Sequence, residues 1–421
     1  MLDIKFVREN LVKVKKALAK RQTNFDLENL IKLDDERKSI QGRVDELHAQ
    51  QNQLAKEGKS AGRRTDEAVK VKQMLKDLEP QLAQAQEAFK IEAVKVPNIP
   101  LPDVPEGEDA SKNVVVKKVG EIKLKEGKEH FEIGKDLDLI DIDRAAKVSG
   151  SRFYYLKNQA AELEFALIKY ALDIVKKEGF QLMIPPIFIK EDIAWGSGHF
   201  EAPNDDAYHM RSDDLVAVGT SEQSILPYFA DEIITDLPQR FVGFSTCLRR
   251  EAGSYGKDVK GIFRVHQFDK LEMFSFCKPE DSQKEHDLIV ALEEKIMQGL
   301  GLPYQVVKLC GGDLGLPSAK TIDIETWLPG QGKYRETHSS SNCTDFQARR
   351  LNIRYKSQIS PLKSQISYVH TLNGTAVAIG RTLITILENY QFFDKAQNKL
   401  VVKVPEVLQK YCGFREIKSK K

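Results

Sequence analysis

Between residues 30 and 54 the chain places Leu30, Leu33, Ile40, Val44, Leu47 and Leu54 at alternating steps of three and four, with Arg37 and Gln51 at the two remaining positions of the series. That spacing keeps one stripe on one side of a helix, the a/d seam of a coiled coil. A second seam runs Ala68, Val71, Leu75, Leu78, Leu82, Ala85 and Phe89. The stretch from Glu57 to Arg64 separates them, and its glycines, Gly58 and Gly62, read as a helix breaker. Two seams joined by a short breaker predict an antiparallel helical hairpin over about residues 27–96. Each helix would hold about 26 residues and reach ~40 Å at 1.5 Å per residue. A rod this thin buries one narrow seam and leaves its polar faces for solvent or a partner. Arg37 and Gln51 weaken the seam and serve to fix its register.

The residues before the hairpin, to Lys20, read as a short basic helix. After it, Pro97, Pro100, Pro102 and Pro105 forbid helix and favour a stiff extended linker. The expected organisation is an N-terminal domain over 1–106 and a second domain over 107–421. In the second domain, alternating or β-branched runs (113–116, 215–218, 240–244, 270–276, 321–327) are interleaved with amphipathic stretches at 161–177, 282–299 and 382–390. Connections too short for crossover helices predict an α+β fold, an antiparallel sheet flanked by helices.

Composition narrows the class. With 41% hydrophobic and 30% charged residues, the 421-residue chain reads as folded rather than disordered. A formal charge of +2 means that a polyanion must be met by local basic patches. No leader or membrane-spanning stretch is apparent, so a cytoplasmic protein is expected, with neither membrane nor DNA as partner. The five cysteines are scattered and odd in number, which speaks against a disulfide framework or a zinc site. Cys247 with His266 downstream could form a thiol nucleophile, but a small buried apolar role is the favoured reading.

The chemistry concentrates around Phe244-Ser-Thr-Cys-Leu-Arg-Arg-Glu251. On strand geometry, Arg249 and Glu251 would share one face. Arginine offers a fixed fork for phosphate or carboxylate, and a glutamate can accept from an amine. A loop rich in glycine and lysine follows, then a second strand with Phe268 and Glu272. On chemistry alone, a surface ion pair is the competing reading.

These segments resemble motif 2 of class II aminoacyl-tRNA synthetases, in the form found in the seryl family. Val218-Gly-Thr-Ser-Glu222 is similar to that family's serine-contacting TSE motif, and Gly179 to Pro186 resembles motif 1, the dimer-forming element. Lys333 to Arg350 resembles the ATP and metal segment, and His370 to Thr382 resembles motif 3. The resemblance covers essentially the whole chain. It implies L-serine contacts at Thr220, Ser221, Glu222, Arg249, Glu272, Asn373 and Thr375. It implies ATP contacts at Arg249, Arg250, Glu251, Phe268, Glu336, Thr337, His338, Ser339 and Arg381, with Arg249 and Arg381 as the catalytic pair. Glu336 and Ser339 would ligate Mg²⁺, being hard oxygen donors. Two positions depart from the family pattern: His338 replaces a serine, and Thr375 stands where serine is common.

The implied activity is seryl-tRNA synthesis through seryl-adenylate by a homodimer, with tRNA(Ser) as acceptor and tRNA(Sec) as a further one left open. Aligning two anions needs arginines and Mg²⁺ more than acids or bases. On the arm, Lys56, Lys59, Arg63, Arg64, Lys70 and Lys72 are candidate phosphate contacts, although a solvated face is the competing reading for each. The rival functions are a synthetase-like relative that acylates a carrier protein or lacks aminoacylation, and a coiled-coil scaffold with an inert domain.

Overall fold

The computed structural model describes residues 1–61, 66–198, 206–252, 258, 260–360 and 363–419. The chain divides into two compact units, Met1–Ile99 and Pro100–Lys421.

In the first unit the basic segment forms two helices, α1 (Ile4–Glu9) and α2 (Leu11–Lys20), because Asn10 leaves helical geometry and turns the chain between them. The hairpin follows as α3 (Leu27–Ala61) and α4 (Asp66–Ala93). Helix α3 is longer than expected, running through Gly58 to Ala61. One helical glycine costs only about 1 kcal/mol, which flanking helix formers offset. Pro80 lies inside α4. Its penalty, about 3 kcal/mol, is met by seam packing on both sides, where Leu78 and Leu82 are buried with Val44, Leu47, Val71 and Leu75.

At the base of the arm, Val7, Val14, Leu18, Leu27, Leu30, Ala93 and Val96 form a separate core. Beside it the fully buried Asp34 carboxylate collects Arg8 (2.8 Å), Arg37 (2.6 Å) and Lys38 (2.9 Å). Arg37, expected to weaken the seam and help fix its register, also lies 4.5 Å from the Phe89 ring centre, so it ties α3 to α4. Burial raises the Asp34 carboxyl, but the three cations outweigh that and hold it below its ordinary range.

The second unit is built on one eight-stranded sheet. Its strands are β1 (Val114–Val119), β2 (Gln181–Met183), β3 (Gln239–Leu248), β4 (Gln267–Cys277), β5 (Tyr304–Lys308), β6 (Lys320–Leu328), β7 (Lys333–Asn342) and β8 (His370–Ala378). The spatial order is β1-β5-β6-β7-β8-β4-β3-β2, antiparallel throughout except where β2 runs parallel to β3. Helices α5 (His130–Asp136), α6 (Asn158–Val175), α7 (Ser282–Gly299) and α8 (Ile379–Asn389) belong to this unit. Leu163 and Leu167 of α6, Ile289 and Ile296 of α7 and Leu383 and Ile386 of α8 pack with Leu271, Met273 and Leu372 of the sheet in its largest core. The expected segments lie on these elements, displaced by a few residues at their ends, except 215–218, which forms the strand Leu215–Ala217 of a separate three-stranded sheet.

Removing the carboxylate in Asp34→Ala takes the shared counter-charge from Arg37 and Lys38, while Arg8 keeps Asp35. The expected loss is about 1–3 kcal/mol of stability in the N-terminal unit, because the remaining cations reach water. Hydrogen exchange of α3 and α4 amides in the full chain reads this directly, and a change below 1 kcal/mol would mean that water replaces the carboxylate.

Candidate active site

One cavity of this unit encloses about 420 Å³. Strand alternation builds much of its wall: Phe268, Lys270 and Glu272 come from every second position of β4, and Asn373 and Thr375 from β8. On β7, alternation alone would send Glu336 and Ser339 to opposite faces. A bulge prevents this. Ile324 pairs with His338 while Glu325 pairs with Glu336, so Thr337 is an inserted residue and the parity resets. Glu336, Ser339 and Ser341 thereby face the cavity together.

Arg249 and Glu251 both reach this cavity, but not by the strand geometry expected for them. Strand β3 ends at Leu248. Beyond it the Arg249 N–H donates to the His266 carbonyl (2.9 Å), and Glu251 takes a left-handed φ of +53°. The Arg249 side chain is fixed from the opposite wall, where Nε donates to the Gly219 carbonyl at 3.1 Å. A β-carbon on Gly219 would stand 3.3 Å from Arg249 Nε, so the glycine makes room for the guanidinium. That guanidinium lies 5.2 Å from the centre of the Phe268 ring. Glu251 accepts from Arg264 at 2.8 Å.

One end of the cavity is a network of carboxylates with defined partners. Glu222 Oε1 accepts from Gln347 (2.7 Å) and Asn373 (3.1 Å). Glu272 Oε2 meets Lys270 Nζ at 2.6 Å and accepts from the Thr375 hydroxyl at 3.2 Å. All its contacts therefore fall on one oxygen, and Oε1 has no hydrogen-bond partner among the described residues. Burial pushes the Glu272 carboxyl above its ordinary range, and Lys270 opposes that rise.

At the other end Arg381 donates to Glu336 Oε1 at 2.8 Å and lies 4.8 Å from the Phe263 ring centre. Desolvation raises the Glu336 carboxyl, but Arg381, Arg249 and Arg264 outweigh it and hold it low. Asp323, opposite Ser339 in the register, carries a buried Oδ1 with no hydrogen-bond partner. Burial, then Glu336, push its carboxyl well up.

Thr220 and Thr337 also line the cavity, the latter with its hydroxyl bonded to Thr326 at 2.8 Å. Three expected residues stand off the wall. Ser221 is buried and donates to the Gly243 carbonyl at 3.3 Å, because the turn entering the Glu222–Ile225 helix rotates it away. The exposed Arg250 side chain is not part of the lining; its backbone N–H donates to Asp206. His338 is sent to the opposite face by the bulge, with Nδ1 2.9 Å from Thr337 Oγ1, and burial lowers its pKa to about 4. Cys247 is buried too, and burial raises its thiol, which removes the thiolate reading. Sequence reasoning overlooked Lys270, Asp323, Gln347 and Phe263. The first two were legible as charged residues inside otherwise β-forming runs.

On the arm, Lys56, Lys70 and Lys72 are exposed on α3 and α4. Arg63 and Arg64 lie outside the described residues, as does the side chain of Lys59.

Comparison with known proteins places this geometry. Residues 204–390 match the model of the class II tRNA synthetase core domain (G, H, P, S and T), and residues 1–100 match the seryl-tRNA synthetase N-terminal domain. A serine--tRNA ligase of Dictyoglomus turgidum is 42% identical over the full length of both chains, and one from Borrelia garinii subsp. bavariensis is 44% identical over the same span. The chain belongs to the seryl-tRNA synthetase family. It is a class II ligase. Among solved structures, a Pyrococcus horikoshii seryl-tRNA synthetase complexed with ATP superposes with a TM-score of 0.87 at 39% identity, each chain covered in full. A cytoplasmic serine-tRNA ligase of Naegleria fowleri in complex with AMP gives 0.84 at 30%, covering all of this chain and 99% of that one. No described helix is long and apolar enough to cross a membrane.

Proposed function

We propose that the chain activates L-serine with ATP to seryl-adenylate and transfers the seryl group to tRNA(Ser). One observation carries this reading: Arg249 and Arg381 open into the same cavity as the Glu272–Thr375 pair. Two anion-binding forks and a hydroxyl-sensing pair then act on reactants held side by side. The relatives complexed with ATP and AMP support the choice of nucleotide.

In the first step a serine carboxylate oxygen attacks the α-phosphorus, and the bond to pyrophosphate breaks. Arg249 holds the carboxylate and α-phosphate together, Arg381 holds the outer phosphate, and Phe268 stacks on the base while Glu251 accepts from its amine. In the second step the terminal ribose hydroxyl of the tRNA attacks the seryl carbonyl, the ester forms, and AMP leaves with the acyl bond broken. No covalent enzyme intermediate is required. Glu336 and Ser339 on the cavity wall would hold Mg²⁺, being hard oxygen donors, and Asp323, opposite Ser339 in the register, backs that wall. When bound, the ion neutralises phosphate charge.

The serine side chain is read by Glu272 and Thr375, with Glu222, Thr220 and Asn373 nearby on the same wall. Alanine leaves Glu272 Oε1 without a partner, since Oε2 is already bonded to Lys270 and Thr375, and threonine is refused by shape, with the Thr375 methyl narrowing the space. Lys56, Lys70 and Lys72 suit phosphate contacts with an RNA backbone, which is recognised mostly by shape and charge. Five free cysteines accord with a reducing, cytoplasmic setting. Exposed Phe165 on α6 (72%) and Ile184 beyond β2 (77%) support a homodimer built on the motif 1 face.

Serine-dependent ATP–pyrophosphate exchange, followed by charging of tRNA(Ser) and tRNA(Sec), tests the reading. Arg249→Ala is expected to lower exchange by ~10²–10³-fold, and a loss within tenfold would remove Arg249 from the reaction. Thr375→Ser is expected to raise threonine activation relative to serine by ~10-fold, the worth of about one methyl group in a pocket. Unchanged discrimination would discard the shape filter. Ile184→Glu should shift the sedimenting mass from two chains to one, and an unaltered mass would place the dimer face elsewhere.

A further inference from the structure

We propose that His130 and Glu388 form a positioning dyad that sets the nucleotide end of the cavity by gripping three backbone N–H groups around it. The inference rests on the ATP-dependent reading above. Neither residue lines the cavity.

His130 opens α5, and its side chain is buried. Its Nδ1 lies 2.9 Å from Glu388 Oε1, and its Nε2 lies 3.1 Å from the Ile262 backbone nitrogen. A backbone N–H can only donate, so Nε2 is the accepting nitrogen and Nδ1 carries the hydrogen toward Glu388. Glu388 is fully buried near the end of α8. Its Oε1 also accepts from the His130 backbone N–H (3.1 Å), and its Oε2 accepts from the Gly330 N–H (3.0 Å).

Each of these partners leads to a different part of the site. Ile262 precedes Phe263, and the Phe263 ring is the shelf on which Arg381 (4.8 Å) and Arg335 (3.9 Å) rest. Gly330 lies in the turn between β6 and β7, the strands that carry Asp323, Glu336 and Ser339. Glu388 itself stands seven residues after Arg381 on α8, two helical turns away on the same side. One imidazole and one carboxylate thus fix the returning limb of motif 2, the metal-facing hairpin and the motif 3 helix against one another.

Glycine stands at two of the close approaches around the dyad. Gly261 has φ +77°, and a β-carbon there would stand 2.0 Å from His130 Nε2. At Gly330 a β-carbon would stand 2.8 Å from Glu129 Cα and 2.9 Å from Glu388 Oε2. Both glycines are thus required by the approach of the dyad as well as by the turns they occupy. A buried hydrogen bond aimed at backbone specifies where the chain runs, and losing it leaves an N–H unpaired in the interior.

The test uses the full chain with pyrophosphate exchange as readout. In His130→Asn the amide still reaches Glu388 but is too short for Ile262; in His130→Gln an amide oxygen can take the place of Nε2. The expected result is a KM for ATP raised about tenfold in His130→Asn, the worth of one buried hydrogen bond. KM for serine should stay within twofold of wild type, and His130→Gln should recover most of the ATP defect. Gly261→Ala, which breaks the same contact from the loop side, should show the same split and decides the matter if His130→Asn fails to fold. Equal increases in both KM values, or no difference between Asn and Gln, would overturn the dyad and leave His130 as packing. Absence of exchange in the wild-type chain would instead sink the functional reading on which the dyad rests.

Discussion

An antiparallel strand offers a given face only at every second residue, and the catalytic unit depends on where that count is kept and where it is broken. Lys270 and Glu272 sit two apart on β4, and Asn373 and Thr375 two apart on β8, so simple alternation brings them to one wall. The register also shifts between Leu271 and Glu272, and it is there that Glu272 pairs with Thr375. On β6 and β7 a second shift inserts Thr337 and turns Glu336 and Ser339 to the same side. Bulges re-aim side chains at the cost of one unpaired backbone position. Here they decide which oxygens face the ligand and which face the core.

Much of this organisation was written in residue order. The arm was legible because a three-four spacing over two long stretches has one economical packing, and the buried seam of Val44, Leu47, Val71, Leu75, Leu78 and Leu82 follows it. Most cavity residues were legible through resemblance to the motifs of class II synthetases, and only the segment around Arg249 and Glu251 through its chemistry. Other features were hidden. Nothing in the order Tyr334-Arg335-Glu336-Thr337-His338-Ser339 marks Thr337 as the inserted residue, because a bulge is fixed by pairing with a distant strand. The outward turn of Ser221 and the exposed setting of Arg250 depend likewise on neighbours remote in sequence. Gln347 and His130 act through partners 125 and 258 positions away, a separation that no local pattern encodes.

The two departures from the family pattern also separate on structural grounds. His338 lies on the far side of β7 from the ligand cavity, where burial keeps its imidazole neutral at ordinary pH, so its exchange for serine is a matter of packing. Thr375 lies on the near side with its hydroxyl already committed to Glu272. Its methyl group therefore takes up space at the cavity wall without changing that hydrogen bond. A substitution of one hydroxyl residue by another is conservative in hydrogen bonding and not in shape.

The charges of the cavity are arranged so that some are exchanged on binding and others are not. Arg381 is paired with the half-exposed Glu336, and Arg264 with Glu251 at the cavity edge. Pairs in partial contact with water are worth ~0–1 kcal/mol, so a triphosphate or a cation can take over one partner at little cost. Lys270 and Glu272 differ, since both are buried and separated by 2.6 Å. Separating that pair would strand a charge in a dry site, a cost of about 3–5 kcal/mol. The Glu272 oxygen facing Lys270 is thereby held in place, while Oε1 has no hydrogen-bond partner among the described residues. The cavity thus sets exchangeable charge pairs at one end against a fixed, buried pair at the other.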